Sequence, residues 1–306
     1  MRIFLTGAGG FIGSNVARLL VREGHEVTGL VRVGSDRRRI ADLDGLLTLL
    51  EGNLNDPGGI VGELAAAPPE MALHLAWYTE PGRYLNSLHN VDMLTASLAL
   101  LRSLAAIGCR RFVLAGTAAE YAPSWDALTE TSPIRIDTLY GTCKTVLCQA
   151  AAQLAREQDV SFASARIFNV YGPWEDPRRL VPYVIRTIAR GEPAKLTTGE
   201  QVRDYLHVED VASGLWAVAR SGLEGVVNLG SGEAVTVAGL ATEIADSLGR
   251  RDLLELGALP SRPEEAPVVR ADPRKLREGS DWRPKYSLSS GLRQTIAWWL
   301  NNPEYA

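Results

Sequence analysis

Cysteine is sparse in this chain, basic charge is not in surplus, and long apolar runs are missing. Each shortage closes off a class of function. The three cysteines among 306 residues, Cys109, Cys143 and Cys148, are too few and too unevenly spaced for a disulfide framework or a zinc site, so free thiols in a reducing compartment are expected. Thirty-two Lys and Arg against 36 Asp and Glu give a formal net charge of -4, which leaves no basic surface for nucleic acid. The longest apolar stretches are interrupted by Arg, Glu or Gly before they reach the roughly 20 residues of a membrane-spanning helix. The first residues enter a strand pattern directly, without the basic start, apolar run and small-residue cleavage site of an export signal. A soluble cytoplasmic protein is the expectation. Internal repeats and low-complexity segments are also missing.

What remains is an ordinary globular composition, 46% hydrophobic and 22% charged, on a chain long enough for one large α/β unit with a smaller lobe. Short β-rich runs alternate with helical patterns: "RIFLTG" and a helix from about Phe11, then "HEVTGLV", "GLLTLLEG", "EMALHLA", "RRFVLAG" and "VSFASARIF". That rhythm predicts a doubly wound parallel sheet with helices on both faces and ligands at the carboxyl ends of its strands. Residues 1–171 read as a dinucleotide-binding domain of Rossmann type. After Asn169 the Pro-rich "VYGPWEDPRRLVP" departs into a substrate-binding lobe, 172–306, from which a segment around 204–229, ending in the strand-like "GVVNLGSG", returns to the sheet. The proline spacing of "GALPSRPEEAPVVRADPRKLRE" predicts an irregular loop.

"GAGGFIG" falls where the first strand ends and a helix begins. Gly7, Gly10 and Gly13 can form a tight turn that lets a diphosphate approach the helix N-terminus, with Phe11 and Ile12 beside it. The second strand offers no acidic residue at its end to accept hydrogen bonds from the ribose hydroxyls of NAD. It offers Arg32, with Arg37, Arg38 and Arg39 following, and a guanidinium suits a ribose phosphate, so NADP is favoured over NAD. The later three arginines read as a solvated loop.

"LYGTCKTVL" spaces Tyr140 and Lys144 four residues apart, on one face of a helix. An unperturbed phenol titrates near pH ~10, and a neighbouring ammonium would help it exchange protons nearer neutrality. The strand "RRFVLAGTAAEY" ends in Thr117, a hydroxyl able to bond the reacting oxygen. His74, His207 and the Trp298–Trp299 pair read as packing or local hydrogen-bonding residues.

Taken together, "TGAGGFIG", "AGTAAEY", "YGTCK", "RIFNVYGP", "VRDYLHVEDVA", "NLGSG" and "WRPKYSLSSGL" resemble the extended short-chain dehydrogenase/reductase family, specifically its nucleotide-sugar epimerases, dehydratases and ketoreductases, from about residue 2 to 299. The resemblance implies that Thr117, Tyr140 and Lys144 are catalytic, with Lys144 also holding the nicotinamide ribose. Asn90 would support the site from a preceding helix. Asn169, Arg203 and Arg262 would hold the diphosphate of a nucleotide-linked sugar. Asn53, Leu54, Leu75 and Ala76 join the glycine turn and Arg32 as expected cofactor contacts.

Departures from the family pattern narrow the activity. The dehydratases carry an Asp-Glu pair directly after the catalytic Thr; Ala118 and Ala119 stand there, and Glu120 could substitute only if the turn shifted by one residue. Asn53 replaces a usual Asp at the adenine. Bulky Trp77 and Tyr78 follow the fourth strand where small residues are usual, and are expected to line the substrate pocket. The leading expectation is NADPH-dependent reduction of a nucleotide-linked 4-keto-6-deoxyhexose. The alternatives are a nucleotide-sugar 4-epimerase and a non-catalytic NADP-sensing regulator. Ala/Leu-rich helices around residues 91–108 and 140–158 add the expectation of a homodimer through a four-helix bundle.

Overall fold

A computed structural model describes residues 1–261 and 266–305. Strand and helix alternate from the start: β1 (Arg2–Thr6), α1 (Phe11–Arg22), β2 (Glu26–Val31), β3 (Thr48–Glu51), α2 (Pro57–Leu64), β4 (Met71–His74), α3 (His89–Ala106), β5 (Arg111–Thr117), α4 (Leu139–Glu157) and β6 (Ser161–Ile167). Shorter elements follow: β7 (Asn169–Tyr171), α5 (Leu180–Ala189), β8 (Ala194–Lys195), β9 (Val202–Arg203), β10 (Tyr205–His207), α6 (Val208–Arg220) and β11 (Gly225–Leu229). The chain ends in β12 (Val235–Thr236), α7 (Val237–Ser247), β13 (Leu254–Glu255), β14 (Val268–Val269), α8 (Arg274–Gly279) and α9 (Leu288–Asn301).

Seven strands form one sheet in the order β11-β6-β5-β4-β1-β2-β3, every pairing parallel. A parallel sheet is covered on both faces, which is why its strands carry apolar runs, Ile3 to Leu5 and Met71 to Leu73, each buried throughout. On one face α1 packs on α6 over Ile3, Leu5, Val16, Leu20 and Leu215. On the other, α2, α3 and α4 close over Phe4, Leu100, Leu104, Phe112 and Leu147. A third core, of Val184, Ile185, Leu240, Ile244, Leu292 and Trp299, joins α5, α7 and α9.

Strand order reverses between β1 and β4, so a crevice opens at their carboxyl ends, where such folds bind ligands. The doubly wound architecture is the one the alternating pattern predicts. One local expectation fails. Among its described residues, "GALPSRPEEAPVVRADPRKLRE" is partly regular: β14 pairs in parallel with β9, and α8 follows. Its prolines are compatible with that order, because Pro267 precedes β14 and Pro273 caps α8, positions that need no ladder or helix donor. No helix among the described residues is long and apolar enough to cross a membrane.

Candidate active site

The glycine turn has the shape its sequence requires. Gly7 adopts φ +74, and a Cβ there would lie 3.0 Å from the Ala76 nitrogen; one on Gly13 would lie 2.0 Å from the Gly7 oxygen. The first turn of α1 is capped by Gly10 with no side-chain hydrogen bond, and Phe11 and Ile12 are half-buried beside it. A bare helix N-terminus behind a turn that admits no side chain at Gly7 or Gly13 fits the diphosphate of a dinucleotide.

Opposite the turn, a buried chain of hydrogen bonds fixes Leu75 and Ala76. Ser97 Oγ donates to Met93 O at 2.6 Å, so it accepts from His74 Nε2 at 2.7 Å. His74 Nδ1 must then accept from Thr6 Oγ1, 2.8 Å away, and that oxygen in turn accepts the Leu75 and Ala76 amides, each at 3.1 Å. Every polar hydrogen is placed with a neutral imidazole. Burial first, and the Lys144 charge second, lower the His74 pKa to about 3.

Beyond this frame lie the three residues expected to react. Thr138 caps α4 by accepting the Gly141 amide at 3.1 Å, and the helix buries Tyr140, Lys144, Leu147 and Cys148 on the face toward the sheet. Thr117 ends β5. Its hydroxyl accepts the Ala119 amide at 3.2 Å, its own amide donates 3.0 Å to Glu120 Oε1, and its side chain offers Tyr140 a hydrogen bond. Burial raises the Tyr140 phenol well above its ordinary range, while the Thr117 bond and the charge of Arg179 oppose that rise. Burial lowers Lys144 to about 7, against the opposing charge of Glu120. Its Nζ donates 2.8 Å to Ala115 O and lies 3.9 Å from the centroid of the Trp77 ring.

Asn90, without exposure, accepts from Trp77 Nε1 at 2.8 Å and donates to Tyr84 O and Ser87 O at 2.7 and 2.9 Å. Trp77 meets the Tyr140 ring edge-on at 6.4 Å. Tyr78 turns elsewhere, bonding Glu80 at 2.9 Å and packing on His89 at 4.9 Å. Across the crevice, β7 pairs with β10, and the Asn169 amide side chain donates 3.2 Å to Asp204 O. The Asp204 carboxylate takes the Ser231 amide and hydroxyl and the Gly232 and Ala271 amides at 2.6 to 3.1 Å. Arg203 is buried, with Nη1 on Val202 O and Ala266 O at 2.9 and 2.8 Å. Arg262 lies outside the described residues.

At the end of β2 the arginines separate. Arg37 pairs with Glu51, Arg38 with Asp36 at 2.7 Å, and Arg39 donates to Trp174 O at 3.0 and 3.2 Å. Arg32 is exposed, and among the described residues no carboxylate lies within ion-pair distance of it. Asn53 is exposed just after β3, its Oδ1 accepting the Asn55 amide at 3.0 Å, while Leu54 is buried.

A glycine turn at the switch point, with a Thr, a Tyr and a Lys gathered beyond it, is the geometry of a dinucleotide-dependent oxidoreductase, and residues 3–230 match the NAD dependent epimerase/dehydratase family. The chain belongs to that family. It is an enzyme of the extended short-chain dehydrogenase/reductase type. UDP-glucose 4-epimerase of Corynebacterium glutamicum is 26% identical, over 94% of this chain and 92% of its own. Among solved structures, UDP-glucose 4-epimerase of Thermotoga maritima with UDP-glucose superposes with a TM-score of 0.89 at 26% identity, covering 99% of this chain and 100% of its own. A dTDP-glucose 4,6-dehydratase of Streptomyces venezuelae with NAD does so at 0.89 and 25%, covering 100% and 98%.

Tyr84, Arg179 and Arg166 were not singled out from sequence. Tyr84 packs edge-on against Tyr140 at 4.9 Å, and Arg179, from the N-cap of α5, lies 5.6 Å from the Tyr84 ring. Glu120 and Arg166, both buried, pair at 2.9 Å and brace the Thr117 turn. His74, read as a packing or local hydrogen-bonding residue, is the hub of the β1–β4 frame. Tyr84 follows Trp77 and Tyr78 in an aromatic-rich loop, and Arg179 sits in the Pro-rich passage between two lobes; proximity to those motifs was the available signal.

Proposed function

We propose that this enzyme interconverts a nucleotide-linked sugar and its carbon 4 epimer by oxidation and re-reduction, using a nicotinamide dinucleotide. The observation that carries the reading is the meeting of Thr117, Tyr140 and Lys144 at a switch point already furnished with a glycine cradle. The likeness to UDP-glucose 4-epimerases over nearly the whole chain supports it. The bound cofactor would accept and return the hydride. Gly7, Gly10, Phe11, Ile12 and Gly13 would hold its diphosphate, Asn53 and Leu54 its adenine side, and Leu75 and Ala76 its passage toward the nicotinamide. Tyr140 Oη, once deprotonated with Lys144 supplying positive charge beside it, would take the proton of the sugar hydroxyl as carbon 4 is oxidised and give it back on reduction, with Thr117 orienting that oxygen. Asn169, Arg203 and Arg262 would grip the nucleotide diphosphate.

Elimination of water fits poorly. Ala118 and Ala119 carry no acid or base, and the Glu120 carboxylate is engaged by Arg166 and the Thr117 amide. A second reading, NADPH-dependent reduction of a nucleotide-linked 4-keto-6-deoxyhexose, is favoured by one observation: Arg32 stands exposed at the end of β2 while its neighbours are engaged. A homodimer through α3 and α4 accompanies either reading, since Val91 and Val146 are exposed on those helices at 45% and 40%; light scattering that returns a monomer would remove it.

The deciding experiment offers purified enzyme UDP-glucose, and separately NADPH or NADH with nucleotide-linked 4-keto-6-deoxyhexoses. Epimer formation without net cofactor consumption is expected. Stoichiometric NADPH oxidation would install the reductase in its place. Either turnover should fall ~10²- to 10⁴-fold in Tyr140→Phe, the usual contribution of a positioned proton donor. Full activity in that variant would remove the site, and loss of turnover would exclude a purely regulatory role.

A further inference from the structure

Lys144 is a buried cation without an acidic partner. Among the described residues no carboxylate lies within ion-pair distance of Nζ, and the groups facing it are few. From β4 comes His74, neutral within its hydrogen-bond chain; from α4 itself come Tyr140 and Cys148. From the turn after β5 comes Glu120, already paired with Arg166, whose guanidinium lies 4.4 Å from the Tyr121 ring. The contacts made by Nζ are the Ala115 carbonyl at 2.8 Å and the face of the Trp77 indole at 3.9 Å.

That indole is itself held. Asn90 accepts from its Nε1 at 2.8 Å, and the two bonds Asn90 donates to the backbone of residues 84 and 87 lock the amide in that orientation. The same ring meets Tyr140 edge-on at 6.4 Å. One side chain therefore touches both members of the Tyr–Lys pair, its angle set from α3. We infer that Trp77 is a positioning residue for the reaction: its ring face, oriented by Asn90, clamps the Lys144 ammonium against the Ala115 carbonyl and keeps it charged beside Tyr140. The negative potential of an aromatic face is worth most where water is excluded, which is the case here. This assigns Trp77 to the machinery of the cation and not merely to the wall of a sugar pocket.

The inference rests on Lys144 being the working cation of the proposed site, and its test reads that cation without turnover. The chain has four lysines, Lys144, Lys195, Lys275 and Lys285, so [13Cε]lysine labelling gives a spectrum in which Lys144→Arg identifies one resonance. In the unmodified enzyme that resonance is expected to titrate near neutrality. Trp77→Leu, which keeps apolar volume but removes the ring, should lower the midpoint by about one pH unit. Trp77→Phe should restore most of it, and the alkaline limb of turnover should move the same way. An unmoved or raised midpoint in Trp77→Leu would show that the ring only shields Lys144 from water, and would overturn the inference.

If Trp77→Leu fails to fold, replacing the seven tryptophans with 5-fluorotryptophan weakens the ring face at constant shape; the midpoint should then fall by a few tenths of a pH unit, and no fall would again overturn the inference. Full turnover in Tyr140→Phe would remove the proposed site while leaving this titration as it is, so the two failures are distinguishable.

Discussion

The two halves of the crevice solve the same problem, holding side chains to a fraction of an ångström, with opposite chemistry. The half at β1 and β4 uses neutral groups: a glycine turn, one threonine hydroxyl, one imidazole and one serine, with each polar hydrogen assigned to an acceptor. The half at β5 and α4 uses buried charge: Glu120 on Arg166, and Lys144 between a carbonyl and an indole. Neutral networks give position without titrating near pH 7. Buried charges provide proton chemistry, but desolvation makes them costly to bury and their removal one at a time disruptive. On the proposed reading, the first half has only to hold a cofactor, and the second has to exchange protons.

The largest effect should come from breaking the charged half. Glu120→Ala leaves Arg166 buried without its partner and the Thr117 amide without its acceptor, and should destabilise the fold by about 3–5 kcal/mol in urea unfolding. Glu120→Gln keeps an acceptor and should lose less. Combining it with Arg166→Met should recover much of the loss, because the double variant leaves no buried charge unpaired while the Gln oxygen still accepts the Thr117 amide. A double variant as unstable as Glu120→Ala would mean that the pair does more than satisfy itself.

Breaking the neutral half should do less. Thr6→Val keeps the shape but strips the acceptor from the Leu75 and Ala76 amides and the donor from His74; the two amides are only part-buried and can turn to water, so the total loss should be about 1–3 kcal/mol, and Thr6→Ser should retain most of the stability. The imidazole also gives this half an acid limit. Its folded pKa, about 3, lies below the unfolded value of ~6.5, so the unfolded chain binds the extra proton first. Stability should be constant above ~6.5 on this account and fall by up to ~1.4 kcal/mol per pH unit below it. Absence of that slope difference between the native chain and His74→Gln would refute the neutral assignment.

The contrast also explains what could be read from residue order. The glycine turn, the strand alternation and the Tyr140–Lys144 spacing are local patterns, and each stands where it was expected; the strand in "GVVNLGSG" pairs with β6. Partnerships between distant residues are not local. Nothing in "AGTAAEY" tells that Glu120 faces Arg166 46 positions away, or that His74 is hydrogen-bonded to residues 68 positions before it and 23 after it. Trp77 and Tyr78 are adjacent and chemically alike in sequence, yet one joins the Lys144 site and the other bonds Glu80. Only the backbone path after β4 separates them.

The smallest expected effect sharpens the comparison most, because its sign is opposite to the others. Lys144 is a good cation in water held where water is scarce, at 3% exposure. Its folded pKa of about 7 lies below the unfolded value of ~10.5, so between those values the unfolded chain carries the extra proton, and stability from this group rises with pH across that window. Below ~7 both states are charged and the full desolvation cost of the buried ammonium is present. Replacing it by an isosteric apolar side chain, Lys144→Met, removes that cost together with one hydrogen bond and the indole contact. The balance should leave the variant about 1 kcal/mol more stable at pH 6, with the advantage shrinking as the pH is raised toward 10. Its turnover should be lost at every pH. A variant less stable at pH 6 would mean that Ala115 and Trp77 more than compensate the ammonium for the water it gave up, and that the charged half is as well satisfied as the neutral one.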